Sequence, residues 1–180
     1  MHERQAIRDA VVAALTGETA AGARVEASRF EPAQTDELPM VCVYTLEESV
    51  EGSSANTAPR ELTRTLRVAV DAYAGVPANG DIDTSLDDLA LEIETAMDAD
   101  LNFSGNAAES LLSSTEVMID MTGERPFGCA HLVYEMTYRT YQRIPAPGDA
   151  FDSVDVHYSL SGDQAADDQA NDVITNINQE

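Results

Sequence analysis

The stretch from Arg60 to Ala74 reads RELTRTLRVAVDAYA, and its apolar and polar side chains alternate along most of its length. Successive side chains of a β-strand point to opposite faces of a sheet, so this alternation predicts a long strand with one buried face. Arg64 is an exception because it falls among the apolar positions. Those positions are Leu62, Leu66, Val68, Val70 and Ala72, whereas Thr63, Thr65, Arg67, Ala69, Asp71 and Tyr73 have the opposite parity.

Four further strands are predicted around this one. Val25–Phe30 has a β-prone composition, and Met40–Tyr44 is typical of a strand that is buried on both faces. Leu111–Met121 and Cys129–Tyr141 are predicted to pair, because the Thr122–Gly128 connection between them contains two glycines and a proline.

Two amphipathic helices complete the predicted domain. Apolar residues follow helical spacing through Glu3–Leu15, and Gly17 stands where a helix normally ends. A second helix is predicted to begin at a cap supplied by Asp83 or Ser85 and to end near Asp100. Its apolar positions are Leu86, Leu89, Ala90, Ile93, Ala96 and Met97.

Two segments are predicted to pack poorly. Glu47–Pro59 combines three glutamates with serine, asparagine, glycine and proline, which favours a mobile loop. After Arg143 the chain has eight acidic residues and no basic one. There Val154–Leu160 alternates like a short strand and Gln164–Ile177 is predicted to form a helix, although the segment has little apolar surface. We therefore expect an α/β domain over residues 1–144, with a mixed β-sheet flanked by two helices, and an extended acidic C-terminal arm over residues 145–180.

The charge of the chain limits its function. Asp and Glu total 33 against 10 basic residues, which gives a formal net charge of -23, and all ten basic residues are arginine. Such a chain is too negative to neutralise phosphates, so tight nucleic-acid binding is not expected. The absence of lysine and the excess of carboxylates indicate a hypersaline setting, with an ordinary acidic protein encoded by GC-rich DNA as the alternative. We expect neither a membrane anchor nor a signal peptide.

No catalytic, cofactor or metal site is predicted. Asp81, Asp83, Ser85, Asp87 and Glu92 have the spacing of a calcium loop, but Leu86 occupies the position that requires glycine. Carboxylates at the start of a helix explain this run better. The three histidines, His2, His131 and His157, lie far from each other and from Cys42 and Cys129, which are expected to be buried thiols. An enzyme is the alternative, if acid and base residues that are distant in the sequence lie close together in the folded chain.

Arg60, Arg64 and Arg67 form the densest positive group in the chain. A few arginines set against many carboxylates can fix contacts between copies of an acidic protein, which makes these three residues the candidate assembly interface. The alternative is that they pair with carboxylates of the same molecule.

The ordered set of elements resembles the tail terminator, or tail completion, proteins of long-tailed, lambda-like phages and related viruses. The resemblance covers roughly Arg4–Tyr141. It is carried by Arg4-Gln5-Ala6-Ile7-Arg8, Ser28-Arg29, Glu37-Leu38-Pro39 with Val43-Tyr44, the strand from Arg60-Glu61-Leu62 to Val70, and Leu132-Val133-Tyr134-Glu135-Met136-Thr137-Tyr138.

The resemblance implies an α/β structural protein of the virion, made in the host cytoplasm and placed at the junction of tail and neck. It implies a homo-oligomer, a hexameric ring, that binds the tail tube protein, ends tube polymerisation and joins the head-neck connector protein. Double-stranded DNA would pass through without specific binding. The alternatives are another neck or tail-tube ring protein, or an acidic DNA-mimic inhibitor.

The excess of carboxylates predicts that stability rises with salt. The screening length falls from about 30 Å at 0.01 M to about 3 Å at 1 M salt, so molar salt removes most repulsion between exposed carboxylates. Thermal melting in 0.05 M to 3 M potassium chloride should show a rising midpoint, and sucrose controls for strengthened apolar burial. A flat or falling midpoint would contradict the hypersaline interpretation.

Overall fold

The alternating stretch forms strand β3 (Glu61–Gly75), which lies at the centre of a five-stranded sheet. It pairs antiparallel with β2 (Met40–Gly52) on one side and with β5 (Phe127–Tyr141) on the other. The outer strands are β1 (Val25–Ala27), which runs parallel to β2, and β4 (Glu109–Asp120), which runs antiparallel to β5. The sheet is therefore mixed, as predicted.

Helices α1 (Glu3–Leu15) and α2 (Ile82–Asp98) complete an α/β unit that agrees with the predicted fold class. The computed structural model describes residues 2–53, 58–75, 81–120, 127–143, 153–158 and 170–175. Their contacts divide the chain into two compact units, Met1–Gln142 and Arg143–Glu180.

One buried cluster joins the two helices to one face of the sheet. Its residues from β3 include Leu66, Val68, Val70 and Ala72, which belong to the apolar set predicted from the alternation. The same face of β5 supplies Ala130, Leu132, Tyr134 and Met136. The helices contribute side chains at the expected spacing, including Ile7 and Val11 from α1. The fully buried side chains of α2 in this cluster are Leu86, Ile93 and Met97, and those of β3 are Leu66, Val68, Val70 and Ala72.

The sheet also buries side chains on the face away from this cluster. Cys42 is 1% exposed and Cys129 is 7% exposed, and both are free thiols, as expected. β3 lies between their two strands, and two strand spacings amount to about 9.6 Å, which is too far for a disulfide. Burial raises the pKa of the Cys129 thiol to about 12. It is therefore protonated at neutral pH.

The predicted mobile loop is wrong over Glu47–Gly52. This segment continues β2 and pairs with β3 as far as Gly52 opposite Leu62. The composition of this segment is polar because its side chains are largely exposed. Backbone pairing with β3 holds the segment in a strand despite that composition. Residues 54–57 of the predicted loop lie outside the described residues.

Two other boundaries differ from the prediction. The cap of α2 is Asp81, whose carboxylate accepts a hydrogen bond from the backbone N–H of Asp83 at 3.1 Å. In the second unit, β6 (Ser153–Tyr158) pairs antiparallel with β7 (Ala170–Thr175), so the predicted helix is wrong over Ala170–Thr175. Val173, Ile174 and Thr175 are β-branched, which favours a strand. The rest of that predicted helix, 164–169 and 176–177, lies outside the described residues, as do 121–126 of the β4–β5 connection.

The close approach of α2 to β5 generates a prediction at Gly128. A Cβ atom there would lie 2.6 Å from Leu86 Cδ1 and 3.3 Å from both Ile82 Cγ1 and the carbonyl oxygen of Met118. We expect Gly128→Ala to lower the free energy of unfolding by about 1–3 kcal/mol through overpacking. Urea denaturation measures this change.

Gly75→Ala is the matched control, because it lies on the neighbouring strand and its Cβ would meet Leu38 Cδ1 at an ordinary 3.5 Å. Equal stability of Gly128→Ala and Gly75→Ala would show that the packing of α2 against β5 tolerates a Cβ atom at residue 128.

Candidate assembly surface

Arg64 lies in an internal ion pair and not on an exposed patch. Its Nη1 is 2.6 Å from Glu48 Oε2, and its Nε donates to Thr140 Oγ1 at 2.8 Å. The side chains of Arg64 and Glu48 are only 23% and 9% exposed. The hydroxyl of Tyr138 also donates to Glu48, and Arg4 Nε lies 3.9 Å from the same carboxylate. Arg64 is therefore paired with a carboxylate of the same molecule.

A bulge in β2 places Glu48 beside Arg64 and Tyr138. The pairing with β3 shifts between Thr45 and Glu48, so Glu48, and not Glu47, lies opposite Leu66 on the helix side of the sheet. Burial, together with the hydrogen bond to Glu48, raises the pKa of the Tyr138 hydroxyl. That hydroxyl therefore stays protonated at neutral pH and can donate to the carboxylate.

Arg67 lies on the opposite face of the sheet from Arg64. Its side chain is 41% exposed, and its Nη1 is 3.8 Å from Glu47 Oε2. It pairs across the strands with Glu135, and the two acids share a small cleft with it. The Nε atom of Arg67 is buried and makes no hydrogen bond. Arg67 thus has weak internal contacts, in contrast to Arg64.

Arg60 lies at the end of the sheet, next to the last residues of β5. Its carbonyl accepts a hydrogen bond from Gln142 N at 2.8 Å, and its side chain is exposed. Arg139 on β5 is 69% exposed at its side chain and lies 3.4 Å from Glu61, and Tyr141 is 64% exposed. The structure therefore does not bring the three predicted arginines together. The Arg60 side chain lies beside Gly52 of β2, where a Cβ atom would be 3.3 Å from Arg60 Cδ, whereas Arg139 and Tyr141 lie on the face of β5 away from the helices. Glu61 pairs with Arg139 and lies directly opposite Tyr141.

The outer edge of the sheet is the largest feature that the sequence analysis missed. β4 is twelve residues long and forms one edge, and its two faces together carry four partly exposed apolar side chains. It contains no lysine, arginine or proline, and its edge carries three carboxylates, Glu109, Glu116 and Asp120, and a bulge between Leu112 and Ser114. The apolar residues are Leu111, Val117, Met118 and Ile119, with 63%, 46%, 50% and 39% of their surfaces exposed. The run Val117-Met118-Ile119 was visible in the sequence, because it breaks the alternation expected of a half-buried strand.

The described residues contain no group of three or more His, Cys, Asp and Glu arranged to hold a metal ion. The residues with calcium-loop spacing lie at the start of α2 and along it, where Asp81 caps the helix. Among candidate acid and base groups of the described part, His131 Nδ1 lies 2.6 Å from Asp71 Oδ1. No helix in the described ranges is long and apolar enough to cross a membrane.

Neither a protein-family model nor a curated protein sequence matches this chain.

The placement of Arg64 generates a prediction about folding. Arg64→Gln should lower the free energy of unfolding by about 1.5–3 kcal/mol, because it leaves the buried Glu48 carboxylate without its closest cation. Arg60→Gln is the matched control and should cost about 0–1 kcal/mol, as expected for an exposed arginine. Urea denaturation of both variants gives the comparison.

A double-mutant cycle with Glu48→Gln isolates the pair itself. If Arg64→Gln and Arg60→Gln had equal stability, or if the cycle showed no coupling, the internal role of Arg64 would be wrong.

Proposed function

We propose that this chain is a structural protein of the virion that forms a homomeric ring, most simply a hexamer. The ring caps the tail tube, ends its polymerisation and joins the tail to the head-neck connector, with DNA passing through its centre. The resemblance in sequence over roughly Arg4–Tyr141 supplies this proposal. The element order of helix, three strands, helix and hairpin agrees with it.

The single observation that carries the assembly part of the proposal is the β4 edge. A long edge strand with exposed apolar side chains is a site at which another chain can add a strand. Leu111, Val117, Met118 and Ile119 would lose their exposure in such an assembly. An assembled protein therefore explains an edge that would favour aggregation in a monomer.

The charge of the chain supports passage of DNA without binding. A net charge of -23 repels phosphates, so the lining of a ring of such subunits would not retain the duplex. The proposed role needs no catalytic residue, cofactor or metal. Its partners are further copies of the chain, the tail tube protein and the head-neck connector protein.

The same charge favours a second candidate, an acidic DNA mimic that occupies a basic nucleic-acid enzyme. This candidate acts as a monomer or small oligomer bound to the enzyme, and it does not need a strand edge for assembly. A different ring of the neck or the tube itself is the closest structural alternative. Oligomeric state and binding to tail tubes distinguish the three.

The test of the proposal is the state of the purified chain in 2 M potassium chloride. We expect native mass spectrometry after buffer exchange and sedimentation velocity to show a closed oligomer of about six subunits. Electron microscopy should show it at the ends of tubes formed by the tail tube protein of the same virus. A stable monomer at high protein and salt concentration would contradict the proposal, and binding along the tube walls would favour the tube-protein alternative.

A variant ties the assembly to the β4 edge. Val117→Lys places a charge on the edge strand and should weaken assembly at least about tenfold while the subunit stays folded. Phe30→Lys is the matched control, since Phe30 is 99% exposed and lies outside the strands. Equal assembly by the two variants would show that the β4 edge is not an interface.

A further inference from the structure

The sheet of the first unit has two free stretches of edge, and they belong to different strands. One is the outer side of β4. The other lies on β2, because the short strand β1 pairs only with Val41, Cys42 and Val43. Beyond these residues, no strand in the described part of the chain pairs with the outer side of β2. We call residues 46–52 the free half of β2. Its outer backbone groups are open to a strand of another chain.

Exposed apolar side chains concentrate at these two edges. Ten large apolar side chains are exposed in the described ranges, and six of them lie on β4 or on the free half of β2. The free half contributes Leu46 and Val50, which are 51% and 47% exposed. Single apolar side chains scattered over a surface need no explanation, but a concentration of them marks a site of interaction. Both edges are therefore candidates for burial in an assembly.

The directions of the strands allow one edge to meet the other. β4 runs antiparallel to β5, β5 antiparallel to β3, and β3 antiparallel to β2, so β4 is antiparallel to β2. When two copies lie side by side in the same orientation, β4 of one can pair antiparallel with β2 of the next, and the sheet continues across the boundary. Val117 lies opposite Ala130 and Val50 lies opposite Arg64, on the face that carries the helices. These two valines would share one face of the joined sheet.

The free runs have the length of ordinary strands. After its bulge, β2 continues regularly over residues 48–52, and after its own bulge β4 continues over residues 114–120. Strands of about five to six residues are the commonest in proteins. Pairing of β4 with itself about a twofold axis would leave the free half of β2 exposed, whereas pairing of β4 with β2 covers both edges. Because these edges differ, the contact is head-to-tail, and such contacts build a ring when the rotation between neighbouring copies closes.

We propose that β4 of one copy adds as an antiparallel strand to the free half of β2 of the next copy. The proposal rests on the proposed ring, since the partner is a second copy of the chain. It adds to that function the segment that receives β4 and the direction of assembly. Each subunit then gives β4 to one neighbour and receives β4 of the other neighbour at β2.

The charges of the two edges make this contact dependent on salt. Glu116 lies opposite His131 and Glu51 lies opposite Thr63, on the face away from the helices, and both carboxylates are exposed. Arg60 lies on the other face. In the joined sheet, carboxylates of both edges would thus share one face and repel each other. The screening length is about 10 Å at 0.1 M and about 3 Å at 1 M salt, so the edges join in concentrated salt.

Neutral variants test this dependence. Glu51→Gln combined with Glu116→Gln should strengthen association severalfold in 0.1 M potassium chloride and change it little in 2 M. Glu18→Gln combined with Asp87→Asn removes the same charge from exposed positions outside the sheet and is the matched control. An equal effect of both pairs would show that net charge, and not the two edges, limits association.

A substitution on β2 tests the receiving edge. Self-association of the full chain is measured by sedimentation velocity in 2 M potassium chloride, with thermal melting as the test of folding. Val50→Lys should weaken association at least about tenfold and leave the melting midpoint of the subunit nearly unchanged. Leu91→Lys is the matched control, because Leu91 is 63% exposed and lies on α2, and it should associate like the parent chain.

Crosslinking tests which edges meet. A chain with both Val50→Cys and Val117→Cys carries one new thiol on each edge. A flexible bis-maleimide should join such chains in 2 M potassium chloride into a ladder of covalent oligomers, whereas either single variant should give none. The parent chain is the control for background, since Cys42 and Cys129 are buried.

The outcomes separate this contact from the ring itself. If the parent chain forms a ring and the double cysteine variant gives no ladder, or Val50→Lys associates like the parent chain, the contact is wrong and the proposed function stands. Covalent dimers from Val117→Cys alone would show that β4 pairs with β4, which also overturns the contact. If the parent chain stays monomeric under all conditions, both the contact and the proposed function fail.

Discussion

The structure of the first unit depends on the register of β3. This strand pairs along its whole length with β5, and with β2 over two segments separated by a single bulge. The register places Val68, Val70 and Ala72 under the helices and Arg67 and Asp71 on the other face. A slip of one residue would exchange these two sets and bury a cation and a carboxylate among apolar side chains. The same register determines that Arg64 and Arg67 lie on different faces.

The chain has far fewer arginines than carboxylates, and several of the arginines pair with carboxylates of the same molecule. Arg64 stabilises the buried end of Glu48, and Arg29 lies 2.6 Å from Glu37 and 3.1 Å from Glu26. A backbone hydrogen bond from Gln34 and the contact with Arg29 lower the pKa of Glu37, so this carboxylate stays charged.

Periodicity predicted the central strand and both helices, because one-sided burial leaves a regular pattern. The β4–β5 pair was predicted from the glycines and proline of its connection. Periodicity missed the extension of β2 through Glu47–Gly52, since those residues are held by backbone pairing with β3 and have little apolar content. The assembly surface was harder to predict than the strands. Proximity in sequence grouped Arg60, Arg64 and Arg67, but successive side chains of a strand point to opposite faces, so the sheet separates Arg64 from Arg67. The Arg60 side chain lies beside Gly52 of β2, a neighbour that no local pattern encodes.

The chemistry of the exposed surfaces fits an acidic protein that assembles in concentrated salt. Molar salt screens attraction between arginine and carboxylate as well as repulsion between carboxylates, so ion pairs alone would hold such subunits weakly. Salts that are excluded from protein surfaces strengthen apolar burial. The exposed apolar side chains of β4 would then supply the affinity. Charged side chains would select which surfaces meet, because a mismatch of like charges at close range is still unfavourable when long-range fields are screened.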